Sequence, residues 1–201
     1  MKAARFYTDN EFDEIAERTL RKADLYPATK RPRVQIDLLL EGFDGVQLDQ
    51  FAEISDMDVL GVTRLKDNGF MVDISSALTK RYDSNYTLDW EESLWRTTLG
   101  HELGHVILHR HELKHASLFK CTNKEILRPT ARVYDQVEYQ ANALMAAILM
   151  PRKLVVDCYT DADVRLERPG EIIEDLALSF EVSKTAMQIR LKRMGLDPYE
   201  H

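Results

Sequence analysis

With 201 residues the chain has room for one sizeable domain and a small appendage. Its 44% apolar and 30% charged residues are those of an ordinary soluble globular protein, not of a disordered or fibrous one. A net charge of -7 and a pI near 5.4 give no overall attraction to nucleic acid or anionic membrane. No run approaches the ~18 apolar residues of a membrane span. The N-terminal residues lack the apolar core of a secretion signal, so a cytoplasmic location is expected. Cys121 and Cys158 form neither a C-x-x-C pair nor a disulfide framework and read as reduced thiols.

Taken in order, residues 11–24 carry Phe12, Ile15, Ala16 and Leu20 at helical spacing, with Asp9 or Asn10 available as cap. Pro27 and Pro32 break the chain, and 34–42 suggests a short helix stopping at Gly42. Extended runs follow at Gly45–Ile54, Val59–Lys66 and Phe70–Ser75. Asp67-Asn68-Gly69 between the last two is a hairpin signal, so a small antiparallel sheet is expected ahead of the next helix. That sheet reads as structural, although an edge strand can also pair with an extended peptide. Residues 76–88 look irregular. A helix then runs from about Thr87 or Asp89 to Arg110, with Trp90, Leu94 and Thr97 on its inner side. Residues 111–133 look basic and irregular, and 135–150 and 151–159 helical, with Pro151 in the first turn of the second. After a polar linker at 161–170, two short helices cover 171–180 and 184–194, with Ser183 as N-cap and Gly195 as stop. The expected fold is α+β and mainly helical. Residues 1–160 would form one domain and 161–201 a helix-turn-helix-like tail packed on it.

The chemistry is concentrated in Thr98-Leu-Gly-His-Glu-Leu-Gly-His-Val-Ile-Leu-His109, which contains His101-Glu102-x-x-His105. On a helix His105 lies about 40° round from His101 and one turn further along, so both imidazoles reach one ion. Glu102 stands beside them and can take a proton from water. The pattern recurs ten residues on as His111-Glu112-Leu-Lys-His115. Leu99, Leu103, Val106, Ile107 and Leu108 give the first match the flanks of a buried helix. Arg110, Lys114 and Lys120 surround the second. Lys114 would stand between its two histidines, where a cation repels a metal and is costly to bury. The second match therefore reads as a solvated helix end or loop.

Two histidines leave a zinc site short of a protein ligand, and three residues compete for the place. His111 has the spacing of a protease third histidine, but that geometry needs a glycine bend where this chain has Leu108. On a continuing helix His111 faces about 240° away. His109 sits too far along the axis. Glu138 is 33 residues after His105, on a helix whose next apolar or amide positions are Ala141, Asn142, Met145 and Leu149. A carboxylate on that side is costly to bury unless something such as a metal pairs with it, which favours Glu138.

The Thr98–His109 stretch, followed by Glu138-Tyr-Gln-Ala-Asn-Ala-Leu-Met-Ala-Ala-Ile-Leu-Met-Pro151, resembles the ImmA/IrrE family of metallopeptidases. Residues 176–196 are similar to that family's closing helices. The resemblance implies a gluzincin-like fold, metal ligands His101, His105 and Glu138, and Glu102 as catalytic acid/base. It also implies an intracellular peptidase that cleaves helix-turn-helix repressors of mobile-element or stress-response genes. Leu144 replaces the motif's Phe, Gly100 stands where Ala is common, and the Asp83–Asp89 approach to the metal helix is unusual. Zinc suits the ligand set, and manganese or iron would also fit it. For oxyanion stabilisation Tyr134, Tyr139 and His109 are the nearby candidates.

Two other readings remain. The tail, basic at Lys184, Arg190, Lys192 and Arg193, would be a DNA-binding unit if it followed the helix-turn-helix pattern, but Glu181 at its turn repels phosphate. Alternatively the protein is a metal-binding sensor or toxin-like partner with little peptidase activity, against which the intact Glu102 argues. The sequence does not set the oligomeric state.

Overall fold

Thr8 starts the first helix. Its hydroxyl accepts from Glu11 N at 3.3 Å while the Glu11 carboxylate accepts from Thr8 N at 2.9 Å, a reciprocal pair that satisfies two orphan donors. Helix α1 (Asp9–Lys22) therefore begins earlier than the apolar spacing suggests, and its cap is Thr8 rather than Asp9 or Asn10. The computed structural model describes residues 5–67, 69–82, 89–116, 118–122, 133–164 and 168–199. Asn68, residues 83–88 of the approach to the His101 helix (with Thr87, one of its two expected starts), and the side chains of Trp90 and Tyr134 lie outside what it describes.

The short α2 (Ile36–Glu41) stops at Gly42 as expected. Strands β1 (Val46–Ala52), β2 (Val59–Lys66) and β3 (Gly69–Ser75) follow, and the turn leads antiparallel from β2 into β3 with Lys66 opposite Gly69. Asp67 takes the left-handed φ of 50° there. Gly69 is needed for a different reason than the turn: a Cβ on it would meet the Gly45 carbonyl oxygen at 2.4 Å. Phe70 N donates to that carbonyl at 2.7 Å. This pins the start of β1 beside the start of β3, so the two run parallel and the sheet is mixed rather than wholly antiparallel.

A fourth strand, β4 (Leu118–Thr122), completes the order β1-β3-β2-β4 by pairing antiparallel with β2. It lies within the stretch read as basic and irregular. Its alternation is plain once seen: Phe119 and Cys121 are buried and Lys120 is exposed. Helix α3 (Ser76–Tyr82), also unexpected, is fastened to β1 by the Thr79 hydroxyl, which donates to Gln50 O at 2.5 Å.

Helix α4 (Asp89–Leu108) is the axis of the molecule. Every residue from Trp95 to Val106 is buried, because the helix lies between the sheet and α6 (Val133–Leu149). Leu99, Leu103, Leu144 and Ile148 are fully enclosed, each worth about 1.5–3 kcal/mol of burial. Two glycines let the helices approach closely. A Cβ on Gly104 would meet Ala141 O at 2.8 Å, and one on Gly100 would meet Met145 Cγ at 2.9 Å. That contact brings Glu138, one turn before Asn142, to the face of α4 that carries His101 and His105.

Pro151 precedes α7 (Arg152–Val164) instead of entering it, and α7 runs on through the expected linker as far as Val164. Helix α8 (Pro169–Phe180) ends with Glu181 in the left-handed region at φ 52°. Ser183 then caps α9 (Lys184–Met194) by accepting from Ala186 N, and Gly195 closes it at φ 71°. The buried Arg96 of α4 donates to Glu181 O at 3.2 Å, serving the carbonyl end of α8. Arg190 donates to Met150 O at 3.2 Å and pairs with Asp13, while Arg193 pairs with Asp9. Lys184 pairs with Glu174 at 2.8 Å. Much of the tail's positive charge is therefore turned onto the chain itself. Among the described residues no helix is long and apolar enough to cross a membrane.

Candidate active site

On α4, His101 and His105 point their Nε2 atoms to the same place, 3.0 Å apart. Glu138 reaches that place from α6, with Oε2 3.0 Å from His101 Nε2 and 3.5 Å from His105 Nε2. All three side chains are buried, as is Glu102. The sequence-derived ligand trio is thus brought together.

The outer contacts orient both rings. His101 Nδ1 donates to Asn142 Oδ1 at 2.9 Å. For His105 the direction is set from the far end of a chain of contacts. The Arg5 carbonyl can only accept, so Gln140 donates its Nε2 hydrogen there at 2.5 Å and turns Oε1 toward His109. His109 Nε2 then donates to Gln140, leaving its Nδ1 to accept from His105 Nδ1 at 3.0 Å. Both histidines thereby carry their outer nitrogen's hydrogen away from the centre, the tautomer that would free Nε2 for a metal.

Charge and burial act on the cluster in opposite senses. Burial lowers the His105 imidazole to about 3, with only partial relief from Glu138. Burial would also lower His101, but the Glu138 hydrogen bond and the charges of Glu138 and Glu102 outweigh it and raise His101 above its ordinary range. Burial raises Glu138, yet its hydrogen bonds to His101 and His105 win and hold it at about 2. Glu138 Oε1 is buried with no hydrogen-bond partner. Two imidazole nitrogens, an ionised carboxylate and an unsatisfied buried oxygen fit a divalent cation.

Glu102 is held from the sheet. The Thr63 hydroxyl of β2 donates to its Oε2 at 2.5 Å. Gly61, two residues earlier on the same strand, leaves the carboxylate room, since a Cβ there would lie 2.6 Å from Oε1. From β4 the Phe119 ring stacks on His105 at 4.7 Å and 22°. Thr63, Gly61, Phe119, Gln140 and Asn142 were not picked out as supports of the site from sequence. Only Asn142 left a signal, lying four residues after Glu138 on the same helix face.

The alternatives fall elsewhere. Helix α4 does break at His109, but α5 (Arg110–Ala116) carries on, with Leu113 N donating to His109 O at 2.9 Å. His111, Lys114 and His115 are exposed on α5. His109 stands behind His105 rather than beside the cluster. The Tyr139 hydroxyl accepts from Arg193 at 2.9 Å. Among the described residues, the ligand-type groups are His101–His105–Glu138 and His101–Glu102–Cys121.

A buried histidine pair one helical turn apart, a glutamate from the neighbouring helix and a second glutamate held by a small sheet make a metallopeptidase-type site. Residues 94–192 match the model of the IrrE N-terminal-like domain of the peptidase M78 family. This segment, just under half of the chain, is similar to the ImmA/IrrE family of peptidases. No curated protein matches the chain.

Proposed function

We propose that the protein is a zinc-dependent endopeptidase of the cytoplasm that cleaves a helix-turn-helix transcriptional repressor, controlling mobile-element or stress-response genes. The observation that carries the chemical part is the convergence of His101, His105 and Glu138 within 3.0–3.5 Å, beside the buried Glu102. The choice of repressor rests on that family similarity. In this reading His101, His105 and Glu138 hold the ion. When bound, it polarises the scissile carbonyl and makes water more acidic. Glu102 accepts a proton from the attacking water as the C–O bond forms, then delivers it to the amine nitrogen as the C–N bond breaks. Thr63 fixes the carboxylate's orientation for both transfers. Phe119 and the enclosing apolar side chains of α4 keep bulk water from the reacting centre.

The test is incubation with candidate helix-turn-helix repressors, read by mass spectrometry. One discrete cut is expected, lost with a chelator and restored by zinc. An equal cut from chelator-treated protein, or from Glu102→Gln, would overturn the reading.

A further inference from the structure

Cys121 has no part in the reaction just described, yet it lies at the site. It is fully buried on the inward face of β4 and is in no disulfide. Antiparallel pairing sets it opposite Gly61, whose missing side chain makes room for Glu102. Its Sγ, a ring nitrogen of His101 and a carboxylate oxygen of Glu102 all lie within 4.8 Å of one another. Two ligand sets therefore share His101: one with His105 and Glu138, the other with Glu102 and Cys121. The buried, unpartnered Oε1 of Glu138, whose side chain is only 8% exposed, marks the same centre as one short of a cation.

We propose that Cys121 is a metal ligand, and that an ion held by His101, Glu102 and Cys121 is the latent form of the enzyme. This rests on reading the cluster as a metal centre. A thiolate is a good zinc ligand, with a bond of about 2.3 Å, and favours zinc over manganese, whereas the histidine–carboxylate set accepts either. On passing to the latent set, the ion's bonds to His105 and Glu138 break. Bonds to Glu102 and Cys121 form, and the thiol proton leaves to solvent. A Glu102 carboxylate engaged as ligand no longer takes a proton from water. Closure follows the same strand: β4 lays Phe119 over His105 and Cys121 beside His101, and His101, Glu102 and His105 have no exposed surface.

The test is the absorption spectrum of the full chain loaded with cobalt(II) in place of zinc. Wild type and Cys158→Ser should show a near-ultraviolet thiolate-to-cobalt charge-transfer band beside the visible d–d bands. Since Cys158→Ser has Cys121 as its sole thiol, its band can come from nowhere else. Cys121→Ser should keep the d–d bands and lose the charge-transfer band. Visible d–d bands without charge transfer in Cys158→Ser would overturn the proposal while leaving the metal centre intact. Absence of all cobalt bands would overturn the metal centre and this proposal together.

Discussion

The chain writes the same pattern twice, ten residues apart, and folds the two copies into opposite surroundings. His101-Glu102-x-x-His105 lies where α4 is enclosed by the sheet and α6. His111-Glu112-x-x-His115 lies on α5 with both histidines in solvent, their rings 5.1 Å apart. Helical spacing alone presents two imidazoles side by side in both places. What differs is what approaches them: α6 brings Glu138 and Asn142 to the first, made possible by Gly100 and Gly104, and β2 brings Thr63. A metal-binding spacing becomes a candidate site only where other elements supply a further ligand, a low dielectric and fixed tautomers.

Substitutions that treat the two copies alike should separate them. Glu102→Gln is expected to keep its ion and lose about 10²–10⁴-fold in cleavage rate. Glu112→Gln should stay near wild type, measured as repressor cleavage alongside metal content.

Acid should single out the first copy too. Glu138 titrates at about 2 in the fold against an ordinary 4.5. A depressed carboxylate contributes stability that is complete above the ordinary value and is lost as pH falls through the folded one. Metal-free protein should therefore lose stability between about pH 4.5 and 2, and Glu138→Gln should show a shallower loss in urea melts across that window.

Removing the acceptor behind His101 with Asn142→Ala should weaken metal affinity by about 10–100-fold in chelator competition. His115→Ala should leave it unchanged. The smallest effect is expected from Gly61→Ala, whose methyl presses on the Glu102 carboxylate. Overpacking of this kind costs about 1–3 kcal/mol of stability, readable from the urea midpoint.

The legible parts of the molecule were those with local signals. The flanks of α4 announced its burial, Ser183 and Gly195 bounded α9, and a costly carboxylate on the α6 helix pointed to Glu138. Lost were features that depend on closure in space. The parallel pairing of β1 rests on the Phe70–Gly45 contact, and the Thr63–Glu102 bond spans 39 residues with no pattern to predict it. Strand β4 was hidden because Lys120 and the lysine at 114 gave its neighbourhood a solvated look, although Phe119 and Cys121 already alternated with polar residues. The tail's basic residues suggested a phosphate-binding face, but the sequence does not reveal that Asp9 and Asp13 of α1 meet Arg193 and Arg190.

The central claim is that an ion is held by the first copy with a glutamate from another helix. Equilibrium zinc binding to Glu138→Ala and Glu112→Ala, side by side with wild type, tests it most directly. Wild-type affinity in Glu112→Ala and a severe loss in Glu138→Ala are predicted. Wild-type affinity in Glu138→Ala would contradict the account.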